Sequence, residues 1–292
     1  MIVDFHVHIF PPEVCRGRDE YRCRDRHFEA LYASGKAKLI TAEELIRAMD
    51  ASGVDSAVTL NFGWSTPDLC QETNDYILDA ARRYPGRLIP FCTVQPKSGL
   101  LARREIERCR AAGAQGIGEL MPDAQEFDLG DRDVMREVAE AAKEAGIPVL
   151  THASEPVGHA YPGKGKTTPD LLVRFVQNFP DLTVVLAHLG GGLPFYALMP
   201  EVSKALKNVY FDTAAQPFLY QPAVYRLLAE LVGADKVLFG SDYPLLGFKR
   251  YIKEISALDL TDHCRELILG GNALQLLAQV GKSEGLFGSR SA

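Results

Sequence analysis

The sequence predicts a (β/α)8 barrel on three observations: eight short β-rich runs, helical spacing between them, and 292 residues, a length that suits one large barrel. The runs lie at 2–9, 56–62, 88–94, 114–120, 148–153, 183–188, 209–214 and 237–242. Helical patterns fall at 42–51, 73–84, 101–112, 134–145, 170–178, 223–232 and 248–258, and an extra helix is expected at 261–277. Gly or Pro punctuates most boundaries, as at Gly53, Pro85-Gly86, Gly113, Gly146, Pro180 and Gly233. Strand and helix alternating in this way favour a closed barrel over an open, doubly wound sheet.

The first run, Ile2-Val3-Asp4-Phe5-His6-Val7-His8-Ile9-Phe10, sets two histidines two residues apart. A strand alternates its side chains with period two, so His6 and His8 project to one side and Val3, Phe5 and Val7 to the other. Two imidazoles aimed at one point suit a divalent transition metal such as zinc. The rhythm then breaks at an insertion, about 11–39, rich in charge (Arg16, Arg18, Asp19, Glu20, Arg22, Arg24) and expected to form a lid or small cap above the strand ends. Thr41 with Glu44 three residues on reads as a capping box opening the next helix. The barrel is expected to be a single domain over 1–280, followed by a Gly- and Ser-rich flexible tail at 281–292.

In such a barrel the active site lies at the C-terminal ends of the strands, so the last residue of each apolar run is the informative one. Strand four ends in Glu119, strand five in His152, strand six in His188 and strand eight in Asp242. Together with His6 and His8 they put four imidazoles and two carboxylates at one mouth. A lone His or Asp there is more often a satisfied polar residue or a turn cap. Burying so many ionisable groups together is costly without a cation. Asn61 and Asp212 end strands two and seven, and are expected to orient the ligands from behind. The loop after strand five is long for a βα connection and carries His159, Tyr161, Lys164 and Lys166. Read blandly it is a solvated excursion; read functionally it is a substrate clamp, with a lysine on a carboxylate and Tyr161 stacking or donating a hydrogen bond.

Composition excludes several classes. With a net charge of -6 and no clustered basic face, the chain lacks the footprint of a nucleic-acid binder, and it has no apolar run long enough to span a membrane. A small-molecule substrate and a cytoplasmic location are expected. The six cysteines form no repeating framework and are read as reduced thiols. Cys15, Cys23 and His27 lie close in sequence, but their spacing matches no structural zinc site.

The opening Asp-Phe-His-Val-His, Thr151-His152, Ala-His-Leu-Gly-Gly-Gly at 187–192, Phe-Asp-Thr at 211–213, Gly-Ser-Asp-Tyr-Pro at 240–244 and Gly-Gly-Asn-Ala at 270–273 resemble the amidohydrolase superfamily, and more narrowly its amidohydrolase-related branch of hydrolases and decarboxylases. The resemblance implies that His6, His8, His152 and Asp242 bind one or two divalent ions, Zn2+ or another such as Mn2+. It further implies that His188 stays free for the substrate, that Asp242 moves a proton, and that the chain forms a homodimer. Superfamily members with two metals commonly carry a carbamylated Lys on strand four. Here Glu119 stands instead, either behind a single ion or as a ligand to a second. The expected reaction is hydrolysis of a small carboxylate-bearing ester, lactone or amide by a metal-activated water. The alternative is non-oxidative decarboxylation of an aromatic or unsaturated acid, and a metal-binding scaffold without turnover is a third reading.

Overall fold

In the computed structural model, which describes residues 1–282, eight parallel strands pair in chain order as one sheet. They are β1 (Val3–His8), β2 (Ser56–Leu60), β3 (Leu88–Cys92), β4 (Gly116–Leu120), β5 (Val149–Thr151), β6 (Val184–Leu186), β7 (Val209–Asp212) and β8 (Val237–Leu238). The circle closes where the Phe5 N–H donates to the Phe239 carbonyl at 2.7 Å and the Asp242 N–H to that of His6 at 2.9 Å. The predicted barrel is therefore the observed one.

Two layers of packing hold it. Helices outside the strands bury one face each; Ile106, Val138, Phe175 and Leu228, for example, belong to one continuous core with strand residues Ile117, Val149, Val184 and Val209. Inside, Val3 and Phe5 pack with Val58, Leu60, Phe91, Leu150, Val185 and Leu238, and Ala273 and Leu276 of the C-terminal helix close that cluster. This corrects the expected division of the first strand. Val7 and Ile9 do pack outward, against Leu45 and Met49, but Val3 and Phe5 face the interior. The register of β1 on β2 shifts between Asp4 and Val7, and that irregularity resets the alternation.

The insertion folds as three short helices, α1 (Pro12–Arg16), α2 (Arg18–Arg24) and α3 (Arg26–Tyr32). It is a fixed roof. Asp25 caps α3 by accepting from the His27 and Phe28 N–H groups at 2.9 Å, and its other oxygen accepts from the Ser65 N–H beyond β2 at 2.9 Å. Beneath it Phe28 stacks on Trp64 at 5.0 Å, with Phe10, Phe62 and Tyr21 in the same apolar cluster. Tyr21 and Arg24 both bond Glu72 on the helix after β2, α5 (Pro67–Arg83). Between roof and α5, Thr41 and Glu44 form the expected capping box on α4 (Ala42–Asp50), the Thr41 N–H donating to Glu44 at 2.8 Å.

The last helix of the described residues runs Asn272–Lys282, two residues past the expected domain end. The rest of the tail expected at 281–292 lies outside the described residues. Among these, no helix is long and apolar enough to cross a membrane.

Candidate metal centre

The mouth of the barrel collects the predicted strand-end groups. His6 and His8 bring their Nε2 atoms within 3.1 Å of each other. Glu119 arrives from β4 because Gly118 precedes it at φ +145°, where a Cβ would lie 2.6 Å from the Leu150 carbonyl oxygen; only glycine lets β4 approach β5 so closely. One Glu119 oxygen lies 3.4 Å from His8 Nε2 and 3.6 Å from His6 Nε2. The other lies 2.9 Å from His152 Nδ1 and 3.7 Å from His188 Nε2. Asp242, at φ +60°, brings a carboxylate oxygen 3.5 Å from His8 and 3.9 Å from His6. His188 sits at φ +54° and opens a left-handed run through Gly192 that turns its ring back toward His152, 3.1 Å away.

The donor set fits a cation. His6, His8 and Glu119 form one group able to hold an ion, and Glu119, His152 and His188 a second, all buried. Nε2 lone pairs converging at 3.1 Å beside two carboxylates need positive charge between them, and the Nδ1 of His8 is buried without a partner. Burial alone would lower the His6 pKa, but Asp212 and Glu119 hold it well above the usual histidine range. Burial would raise Glu119, yet His6 and the hydrogen bonds from His152 and His188 keep it well below the usual carboxylate range. His188 is likewise pushed down by burial and lifted by Glu119 and Asp242, to about 9. An ion held beside His6 would compete with a proton there.

The second layer differs from the expected one. Asp212 does stand behind His6: its Oδ2 lies 2.8 Å from His6 Nδ1, and its Oδ1 accepts from the N–H groups of His188 and Ala214. Asn61 instead turns to the roof, its Oδ1 accepting from the Phe62 N–H and the Trp64 indole. Among the described residues the groups able to hold an ion do not include Cys15, Cys23 or His27, and all six cysteines are free thiols.

Above the centre opens a cavity of about 460 Å³ lined by His8, Glu119, His152, His188 and Asp242 at its floor. Its walls are Leu31 and Tyr32 of the roof, Phe62, Met121, Phe218, Leu219 and Leu245, with His159 and Tyr161 from the long loop. Lys164 and Lys166 are not in its wall. The Lys164 ammonium donates to the carbonyls of Val157 and His159 in its own loop, at 2.7 and 3.1 Å, and Lys166 is exposed. Tyr161 donates to Glu155 at 2.8 Å. Tyr32, Met121 and Phe218 were not legible as wall residues, since they come from three separate connections with no shared spacing.

The sequence profile described as Amidohydrolase matches residues 3–278. The chain belongs to the amidohydrolase family. A 6-methylsalicylic acid decarboxylase from Penicillium expansum is 23% identical, the match covering 95% of this chain and 96% of that one. A 2-amino-3-carboxymuconate-6-semialdehyde decarboxylase from Dictyostelium discoideum is 24% identical, over 94% of this chain and 91% of the other. Among solved structures, a 5-carboxyvanillate decarboxylase from Novosphingobium aromaticivorans, crystallised with manganese and a nitrobenzoic acid, superposes with a TM-score of 0.79 at 19% identity, covering 95% of this chain and 97% of that one. These findings correct the expectation of hydrolysis: the relatives named are decarboxylases. Family membership also sets aside the metal-binding scaffold in favour of an enzyme.

Proposed function

We propose that the chain is a metal-dependent decarboxylase that removes CO2 from a small aromatic carboxylic acid without an oxidant. The observation that carries this reading is an aromatic and aliphatic cavity standing directly on a buried His and carboxylate centre, in a chain with a 6-methylsalicylic acid decarboxylase and a 5-carboxyvanillate decarboxylase among its named relatives. A bound Mn2+ or Zn2+ would supply Lewis acidity at the floor, drawing substrate oxygens and stabilising negative charge. His6, His8, His152 and Asp242 would hold the ion, with Glu119 a ligand rather than a group behind it, since its two oxygens face both clusters. Both clusters share that one carboxylate, so it would face an ion held in either.

The protein's own groups then do three things. Phe62, Met121, Phe218 and Leu245 take the ring out of water, which favours turning a charged carboxylate into neutral CO2. Asp242 delivers a proton to the ring carbon that bears the carboxylate; the carbon–carbon bond breaks, its electron pair restores the ring, and CO2 leaves. His188, whose Nδ1 is bonded to the Ala214 carbonyl at 3.0 Å, turns Nε2 to the cavity floor and holds charge that develops on the substrate. His159 and Tyr161 would meet the substrate from above. Lys164 and Lys166 have no part in it. A cytoplasmic homodimer belongs to the same reading, in keeping with free thiols and with exposed Phe195, Tyr196, Leu198 and Met199 after β6; a monomer by light scattering would remove the dimer.

The test is a substrate panel on protein loaded with manganese. Hydroxylated and alkylated benzoic acids are expected to release CO2 in step with substrate loss, while lactones and esters of the same size stay intact. Turnover of the esters with none of the acids would overturn the reading.

A further inference from the structure

We propose that Ser154 is a positioning residue that fixes His152 through its outer ring nitrogen and ties it to the loop over the mouth. The inference rests on the reading of His152 as a metal ligand. His152 turns Nδ1 to the centre, 2.9 Å from Glu119, and Nε2 away from it, 3.3 Å from the Ser154 hydroxyl. A ligating imidazole needs an acceptor for the proton on its other nitrogen, because that bond sets both tautomer and ring angle. Ser154 is fully buried, and its Oγ is the oxygen placed to accept.

The same residue closes the neck of the loop. Its Oγ accepts from the Gly165 N–H at 2.9 Å, and its own N–H donates to the Thr167 carbonyl at 2.9 Å. Asp123 holds the returning strand of the neck beside it, accepting from the Lys166 N–H at 2.8 Å and the Thr167 hydroxyl at 3.0 Å. Between the two ends of that neck lie His159 and Tyr161, which reach the cavity. One hydroxyl thus joins the segment that meets the substrate to a ring that holds the ion, and a shift of the neck is felt at His152.

Manganese affinity, measured by chelator competition without substrate, tests this. Ser154→Ala is expected to weaken Mn2+ binding about 10- to 100-fold, beyond the modest fall in metal-free melting temperature that loss of the Gly165 hydrogen bond brings, with Ser154→Thr recovering most of the affinity. His152→Ala should weaken binding at least as much. If His152→Ala binds manganese like the unsubstituted protein, the metal reading itself falls; if it loses affinity while Ser154→Ala keeps it, only the role of Ser154 falls. A measurement on the unsubstituted protein needs no variant to fold: nitrogen NMR of the zinc-loaded form should show His152 protonated at Nε2, and an unprotonated Nε2 would overturn the proposal.

Discussion

The Nδ1 of His6 lies 2.8 Å from the Oδ2 of Asp212, with both side chains fully buried. The contact leaves Nε2 of His6 as the nitrogen that faces the centre. It also links β1 to β7, because the second oxygen of Asp212 accepts from the His188 and Ala214 N–H groups.

Asp212→Asn keeps the shape and one acceptor oxygen but removes the charge that holds the His6 proton. Manganese affinity is expected to fall about 10- to 100-fold, as when a partner behind a ligating histidine is removed elsewhere. Titration with manganese under a competing chelator reads it. Unchanged affinity would show that Asp212 serves the backbone alone.

The histidines divide by what they lose. His6→Ala and His8→Ala are expected to lose bound metal and turnover together. His188→Ala is expected to keep its metal content while kcat drops about 10²- to 10⁴-fold. Metal analysis alongside steady-state kinetics separates the two outcomes, and a His188→Ala protein stripped of metal would make His188 a ligand.

Asp4 adds a pH dependence to stability. It is fully buried, and burial pushes its carboxyl up from 3.8 to about 7 against its bonds to Ser241 and the His6 N–H. The folded state therefore holds this proton more tightly than the unfolded chain. The stabilisation is complete below pH 3.8 and is lost as pH rises toward about 7. Asp4→Asn, which has no proton to lose, should gain on the unsubstituted protein across that window by up to roughly 1.4 kcal/mol per pH unit. Urea unfolding of the metal-free proteins at several pH values checks it; parallel pH profiles would contradict it.

The barrel and the six groups of its centre were legible because both follow from short-range rules: period two, helical spacing, and function at strand ends. Other features obey rules that the chain does not display locally. Helix α5 is the exception: it begins at Pro67, ahead of the expected start at residue 73, on a signal the chain does display, Thr66 as cap, accepting from the Leu69 N–H, and Pro67 at the first position. The insertion hid three helices because its charges show no period, and its order comes from Asp25 reaching Ser65, 40 residues away. The inward turn of Phe5 depends on a register shift against β2 that no residue in β1 announces. Lys164 looked available for a substrate, but backbone carbonyls of its own loop take up the ammonium. Asn61 and Asp212 both end strands, and only the fold decides that one faces the roof and the other His6.

The most direct test of the central claim is decarboxylation run in heavy water with manganese-loaded protein and a hydroxybenzoic acid such as 6-methylsalicylate. Asp242 as the proton donor predicts CO2 release equal to substrate loss and deuterium at the ring carbon that carried the carboxylate, with both lost in Asp242→Asn. Substrate consumption without CO2, or unchanged turnover in Asp242→Asn, would contradict it.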